Sequence, residues 1–248
     1  MNIVEIVFSP TGGTQNVADI IARAWGGNAA KIDLSDSKTD FTKCEIKKDD
    51  MVLIAMPSFG GRAPAIAIER LKKISGNGAK CTIVCVYGNR AYEDTLVEME
   101  DAAKESGFRV AAAVAAVAEH SIMPQYAAGR PDASDEAQLS DFAVRILHKD
   151  GDVASIPGNR PYKKGGGAGL VPKVTKDCVK CGVCAKSCPV DAINTESLVA
   201  DSKKCISCMR CVKLCSHDAR KVNSVMVSVA ALAIKKACFV RKENELFL

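Results

Sequence analysis

The feature that most constrains this chain is a cysteine motif that occurs twice in close succession. The first copy is Cys178-x2-Cys181-x2-Cys184-x3-Cys188 followed by Pro189, and the second is Cys205-x2-Cys208-x2-Cys211-x3-Cys215 followed by Ser216. Each carries an Asp-Ala pair shortly beyond its last cysteine, Asp191-Ala192 and Asp218-Ala219. Three thiolates at this spacing converge from one tight loop on three corners of an iron–sulfur cube. Zinc and disulfides are the alternatives. Structural zinc commonly uses paired C-x2-C knuckles, four ligands per ion. Disulfides belong to exported chains, and a strand-like pattern begins here at Asn2 with no basic leader or cleavage site. The doubled motif is far more specific to two four-iron clusters.

Residues 174–223 resemble the bacterial-type two-cluster ferredoxins. That resemblance implies two 4Fe-4S clusters, each completed by the fourth cysteine of the other copy. Carried over, one cluster takes Cys178, Cys181, Cys184 and Cys215, and the other takes Cys205, Cys208, Cys211 and Cys188. It also implies electron transfer at low potential. Ser216 departs from the proline expected there, which bears on the rigidity of a helix start more than on the ligand set. Cys44, Cys81, Cys85 and Cys238 fall outside the repeat and read as packed thiols.

Most of the 12 cysteines lie at or beyond Cys178, and the charge is divided in the same sense. Residues 1–150 sum to −4 and residues 151–248 to +9, within a chain total of +5. Two modules of different chemistry are expected. An apolar content of 48% with near-balanced charge excludes a disordered chain. The apolar stretch at residues 225–234 is about half of what a membrane span needs, so a cytoplasmic protein without membrane contact is expected.

Residues 1–150 alternate strand-like and helix-like patterns. Apolar runs at residues 3–8, 51–56, 80–87 and 109–117, with a shorter one at 31–34, read as strands. Helical spacing appears at 15–25, 65–74, 92–106 and 133–148. Continuous apolar strands separated by helices predict a doubly wound α/β fold with a parallel sheet. Ligands then bind beyond the carboxyl ends of the strands, at the loops that start at Ser9, Pro57, Gly88 and His120. Residues 151–173, rich in Gly, Pro and Lys, read as a linker or strap. A C-terminal helix and tail occupy 224–248.

Ser9-Pro10-Thr11-Gly12-Gly13-Thr14 follows the first strand and opens the first helix. Helix N-terminal amides, close backbone approach at glycine and hydroxyl donors suit an anion. The loop holds no cation, which favours a phosphate monoester over a triphosphate. The loop is similar to the FMN-phosphate loop of flavodoxins, and residues 1–150 match a short flavodoxin in length and element order. This resemblance implies a five-stranded sheet of order 2-1-3-4-5 and phosphate contacts from Ser9, Thr11, Gly12, Gly13 and Thr14. It also implies that the isoalloxazine ring lies between the loops Pro57-Ser58-Phe59-Gly60-Gly61 and Gly88-Asn89-Arg90-Ala91-Tyr92, against Phe59 and Tyr92, with Tyr87 less favoured. Gly60-Gly61 would let a peptide turn its carbonyl toward the ring.

Taken together, the chain resembles flavodoxin–ferredoxin fusion proteins over essentially its whole length. The implied function is electron transfer between two 4Fe-4S clusters and an FMN, with redox donor and acceptor proteins as partners. The alternative is a flavin-dependent reductase acting on a small molecule beside His120, Tyr126 or Arg130. The linker length also permits a homodimer. Bound anionic cofactors offset the C-terminal positive charge, so nucleic acid is not needed to explain it.

Overall fold

The computed structural model describes residues 2–165 and 169–248; Gly166, Gly167 and Ala168 of the expected linker lie outside the described residues. The apolar runs form five parallel strands: β1 (Ile3–Val7), β2 (Ala30–Asp33), β3 (Met51–Pro57), β4 (Lys80–Tyr87) and β5 (Arg109–Val117). Their order is β2-β1-β3-β4-β5, the flavodoxin-like order of a doubly wound sheet. Four helices cover the faces: α1 (Gly13–Ala24), α2 (Ala65–Leu71), α3 (Thr95–Glu105) and α4 (Ala133–Leu147).

Alternation along each strand splits the core in two. Ile54 and Ile83 join Leu71, Leu96 and Met99 on the α2/α3 side. Leu53 and Val84 join Val17, Ile21, Leu139 and Phe142 on the α1/α4 side. Each fully buried Ile or Leu contributes roughly 1.5–3 kcal/mol, so these two layers dominate stability. Trp25 is core, as its place on the helix suggests, and its indole donates to the Ala143 carbonyl (3.0 Å). A capping box starts α4: Asp132 accepts the Asp135 amide (3.1 Å) and Asp135 accepts that of Asp132 (3.0 Å).

Residues 151–165 form no helix or strand but are fastened along α3. Asp94 accepts the Asn159 amide (2.8 Å) and the Lys163 amide (2.7 Å). Arg160 spans Asp101 (2.8 Å) and Glu100 (2.7 Å). Arg62 donates to the Lys163 carbonyl and lies over the Tyr162 ring at 4.7 Å. The segment is a strap, not a slack tether.

The cysteine-rich part folds as two matched halves. Strand β6 (Lys173–Val174) pairs antiparallel with β7 (Arg220–Lys221), and single-turn helices α5 (Val183–Lys186) and α6 (Arg210–Lys213) follow equivalent turns. Positive φ recurs at corresponding positions of the two copies: Lys180 and Ser207, Gly182 and Met209, Asp191 and Asp218. The turn after Cys215 therefore forms with Ser216 in place of proline. Helix α7 (Ser224–Cys238) is capped by Asn223, whose side chain accepts the Met226 amide (3.1 Å). Among the described residues, no helix is long and apolar enough to cross a membrane.

The chain then returns to the first module. Strand β8 (Glu245–Phe247) pairs antiparallel with β5 and makes the sheet six-stranded. The sequence reading of 1–150 as a self-contained five-stranded sheet missed this edge. Asn244 secures it: its Oδ1 accepts the Val117 amide (2.8 Å), and its Nδ2 donates to Gln138 (2.7 Å) and Asp135 (3.0 Å).

Candidate functional site

Loops at the carboxyl ends of β1, β3, β4 and β5 open into one cleft of about 660 Å³. This is where open α/β sheets bind ligands, and the volume lies within the roughly 300–1,000 Å³ of small-molecule sites. Thr11, Gly13 and Thr14 line one part of it, with Pro57, Ser58, Phe59 and Gly60 from the β3 loop and Tyr87, Gly88 and Arg90 from the β4 end. A further wall is built by residues 203–208, the second cysteine loop, together with Ala230 and Ile234 of α7.

The β1 loop is shaped as an anion cradle. Gly12 stands before α1 in the left-handed region (φ 97°) with no side-chain cap. The first amides of a helix have no carbonyl within it to bond. The Ser9 hydroxyl accepts from the Gln15 amide (2.9 Å), and the Ser9 amide donates to the Ser35 hydroxyl (2.9 Å). Ser9 and Gly12 thus shape the loop from behind, while Thr11, Gly13 and Thr14 face the cleft.

In the β3 loop, Phe59 and Arg62 bond to each other's backbone (2.8 and 3.3 Å) across Gly60 (φ 62°) and Gly61 (φ 85°). Positive φ at both central positions is the tight turn that glycine serves best. Gly60 lines the cleft, whereas Gly61 packs against Glu93, whose side chain occupies the place of a Cβ. Arg62 is held by both oxygens of Glu98 (2.7 Å each).

Two expected ring contacts are elsewhere. Asn89 does not line the cleft: its carboxamide donates to the carbonyls of Cys238 and Val240 (2.9 Å each) and accepts the Lys242 amide (3.0 Å), so it clamps the C-terminal segment. Tyr92 packs edge-on against Tyr87, centroids 5.2 Å apart, and donates to Glu245 of β8 (2.9 Å). Tyr87, the less favoured aromatic, lines the cleft instead, as does Phe59 of the β3 loop.

His120 also lines the cleft. Its Nδ1 accepts the amides of Ile122 (3.2 Å) and Met123 (3.3 Å). Burial, reinforced by Arg90, holds its pKa below the usual histidine range, so the ring is neutral near pH 7 with its hydrogen on Nε2. Tyr126 and Arg130 are tied up: Tyr126 donates to the Ala231 carbonyl (2.7 Å), and Arg130 pairs with Asp135 and donates to the Lys242 carbonyl (2.7 Å).

The eight motif cysteines divide between two small hollows. Cys178, Cys181, Cys184 and Cys215 line one; Cys188, Cys205, Cys208 and Cys211 line the other. Backbone amides donate to sulfur equivalently in the two halves, Ala192 to Cys188 and Ala219 to Cys215, at 3.3 Å each. Burial raises the free thiols, Cys208 to about 11 and Cys211 to about 12. Among the described residues, no three Cys, His, Asp or Glu side chains gather around a single-ion position. Of the other cysteines, Cys81, Cys85 and Cys238 are buried and Cys44 half-buried.

Three cations at the site were not expected. Lys203 and Lys204 line the same cleft as the β1 loop, which carries no cation of its own. Arg210 lines the second hollow, donates to the Ser9 carbonyl (3.3 Å) and approaches Asp33 (3.9 Å). Aligning the two copies marks Lys204 and Arg210, because Asp177 and Val183 hold the equivalent positions in the first; Lys203 has Lys176 as its counterpart and carries no such signal.

Residues 171–194 match the family model of the 4Fe-4S binding domain. No curated protein matches the chain. Among solved structures, a flavodoxin from Streptococcus pneumoniae TIGR4 is 19% identical with a TM-score of 0.42, covering 58% of this chain and 97% of its own. A flavodoxin from the domain Archaea is 15% identical with a TM-score of 0.41, covering 60% and 100%. Rubredoxin oxygen:oxidoreductase from Desulfovibrio gigas is 13% identical with a TM-score of 0.40, covering 58% and 35%. By its own strand order and its matched cysteine domain, the chain joins a flavodoxin-like α/β unit to a 4Fe-4S ferredoxin-like unit.

Proposed function

We propose that the chain is an electron-transfer protein that holds one FMN and two 4Fe-4S clusters and passes electrons between them on behalf of redox partner proteins. The observation that carries this reading is the shared wall: Cys205 and Cys208 of the second cysteine loop line the same cleft as the β1 phosphate-type loop. When bound, FMN accepts one or two electrons and each cluster one, which lets the pair exchange between one- and two-electron carriers.

The residues present fit these groups. The free amides at the start of α1 and the hydroxyls of Thr11 and Thr14 suit a phosphate, and Lys203 and Lys204 add positive charge. Phe59 and Tyr87 offer aromatic surface for a flat ring. Ser58 is fixed by its amide, which donates to the Val86 carbonyl (2.8 Å), and by its hydroxyl contact with Thr95 (2.8 Å), so the β3 loop is pre-set for its ligand. Two hollows of four thiols each, with amides aimed at sulfur, suit four-iron cubes. One chain supplies both walls of the cleft, so a homodimer is not required to bring flavin and cluster together.

Anaerobic purification followed by iron, sulfide and flavin analysis tests the reading. About eight irons and one FMN per chain are expected; zinc without iron, or a flavin-free protein that takes up no FMN, would overturn it. Reoxidation of the reduced protein by redox proteins, and not by small-molecule acceptors, distinguishes a carrier from a reductase.

A further inference from the structure

The two halves of the cysteine-rich unit match in their cysteines and turns, and diverge at position 220. The first half has Ile193, which lines the hollow of Cys188, Cys205, Cys208 and Cys211. The second half has Arg220, which lines the hollow of Cys178, Cys181, Cys184 and Cys215. Arg220 is 2% exposed and one of the largest fully buried side chains. Its Nη1 donates to the Pro172 carbonyl at 3.3 Å. Its Nε and Nη2 have no hydrogen-bond partner among the described residues.

A buried guanidinium with most of its donors unmet costs several kcal/mol unless an anion compensates it. Prominent among the groups that line the hollow with it are the sulfurs of Cys178, Cys181, Cys184 and Cys215, neutral as thiols and anionic as ligands, and its charge also bears on Cys205 and Cys211 of the other set. Arg210 at the other hollow differs. Its Nε also lacks a partner, but it has the Ser9 carbonyl and Asp33 as partners and 22% of its side chain is exposed. Of the two arginines at the hollows, Arg220 is therefore the one that, among the described residues, has no carboxylate partner and almost no exposure to water.

A cluster held by four thiolates is anionic and becomes more so on reduction, and its potential follows local charge and hydrogen bonds to sulfur. We propose that Arg220 is a potential-setting residue, its unmet donors directed to the sulfurs of the cluster held by Cys178, Cys181, Cys184 and Cys215 and its charge raising that cluster's reduction potential. This rests on the cluster assignment above. The step it biases is the gain of one electron by that cluster from a reduced donor, with no bond made or broken. The arginine acts through charge and hydrogen bonding and is not itself a ligand.

The test uses the full chain, reconstituted anaerobically, with iron and sulfide counted before EPR-monitored potentiometric titration. Arg220→Ile makes the second half match the first, Arg220→Gln keeps polarity without charge, and Arg220→Lys keeps the charge. In the two neutral variants one cluster midpoint should fall by at least a tenfold change in its one-electron equilibrium, about 59 mV. Arg220→Lys should stay within that interval of the parent. Unchanged midpoints in neutral variants with a full iron count would overturn the inference. Loss of four irons from both neutral variants but not from Arg220→Lys would support it, and loss from all three would make Arg220 a packing residue and overturn it. A parent chain that binds no iron would instead overturn the cluster assignment beneath it.

Discussion

At the scale of single residues, the cleft depends on close approaches that leave no spare volume. A Cβ at Gly88 would lie 2.6 Å from His120 Cδ2 and 2.7 Å from His120 Cβ. The imidazole cannot swing aside without releasing two backbone amides from Nδ1. Gly88→Ala should therefore destabilise the protein by about 1–3 kcal/mol, the usual range for overpacking. Gly88→Ala combined with His120→Gly, which removes the clashing Cβ as well as the ring, should recover part of the loss. Denaturant midpoints at unchanged m-value measure both, and an unshifted midpoint in the single variant would refute the steric argument. The β1 loop predicts a separate effect. Thr11→Val and Thr14→Val each remove a hydroxyl from the cleft and should weaken FMN binding by roughly tenfold, the loss of one hydrogen bond to a charged group at about 1.5 kcal/mol. Flavin fluorescence titration checks this, and unaltered affinity in both would remove these hydroxyls from the phosphate contacts. Which aromatic faced the cleft was not legible from sequence. Tyr87 and Tyr92 flank the same turn, and only the strand's register puts Tyr87 on the ligand side while Tyr92 meets β8.

At the scale of elements, the five parallel strands were legible because each is an apolar run bounded by turn residues. Strand β8 was not. Glu245-Leu246-Phe247 carries no periodic signal, and its place is fixed by the open edge of β5 and by Asn244. Asn244→Ala should leave the buried Val117 amide and part of Asp135 unpaired, at about 1–3 kcal/mol for each group, and should speed hydrogen exchange in β5 and β8. The strap was legible as irregular from its Gly and Pro content, but not as fastened, because its anchors are acidic residues of α3 and its cap, far away in sequence. Its attachment gives a pH dependence. The Lys163 and Asn159 amides hold the Asp94 carboxyl below its ordinary value, and Arg160 and Tyr162 do the same for Asp101. A carboxylate whose folded pKa is depressed contributes stability that is complete above its unfolded value, about 4, and is lost as pH falls through the folded value. Between pH 7 and pH 3 the thermal midpoint of the parent protein should fall further than that of Asp94→Asn, which lacks this contribution at both ends. Equal falls would show that the strap's carboxylate is energetically silent.

At the scale of the whole molecule, the arrangement matters more than either unit. Both could be read from their motifs, yet nothing in one dimension said that residues 203–208 would close the cleft opened by β1, β3, β4 and β5. That contact is made by a segment from the opposite end of the sequence to the β1 loop, brought there by the strap on one side and the β8 return on the other. Its consequence is kinetic. Two redox sites in one polypeptide meet at an effective concentration set by the fold and not by the amount of protein. When the FMN- and cluster-loaded chain is reduced by a substoichiometric pulse, redistribution of electrons between flavin and clusters should be first order. Its rate constant should not change on hundredfold dilution, because no encounter between chains is involved. Cys205→Ser with Cys208→Ser should lose about four irons per chain and slow the redistribution. By contrast, Asp94→Ala, which loosens the strap while sparing every cleft residue, should broaden the distribution of rates before it alters cofactor content. A rate proportional to protein concentration would mean that the flavin exchanges electrons with the clusters of another molecule, and the shared wall would then be a matter of packing alone.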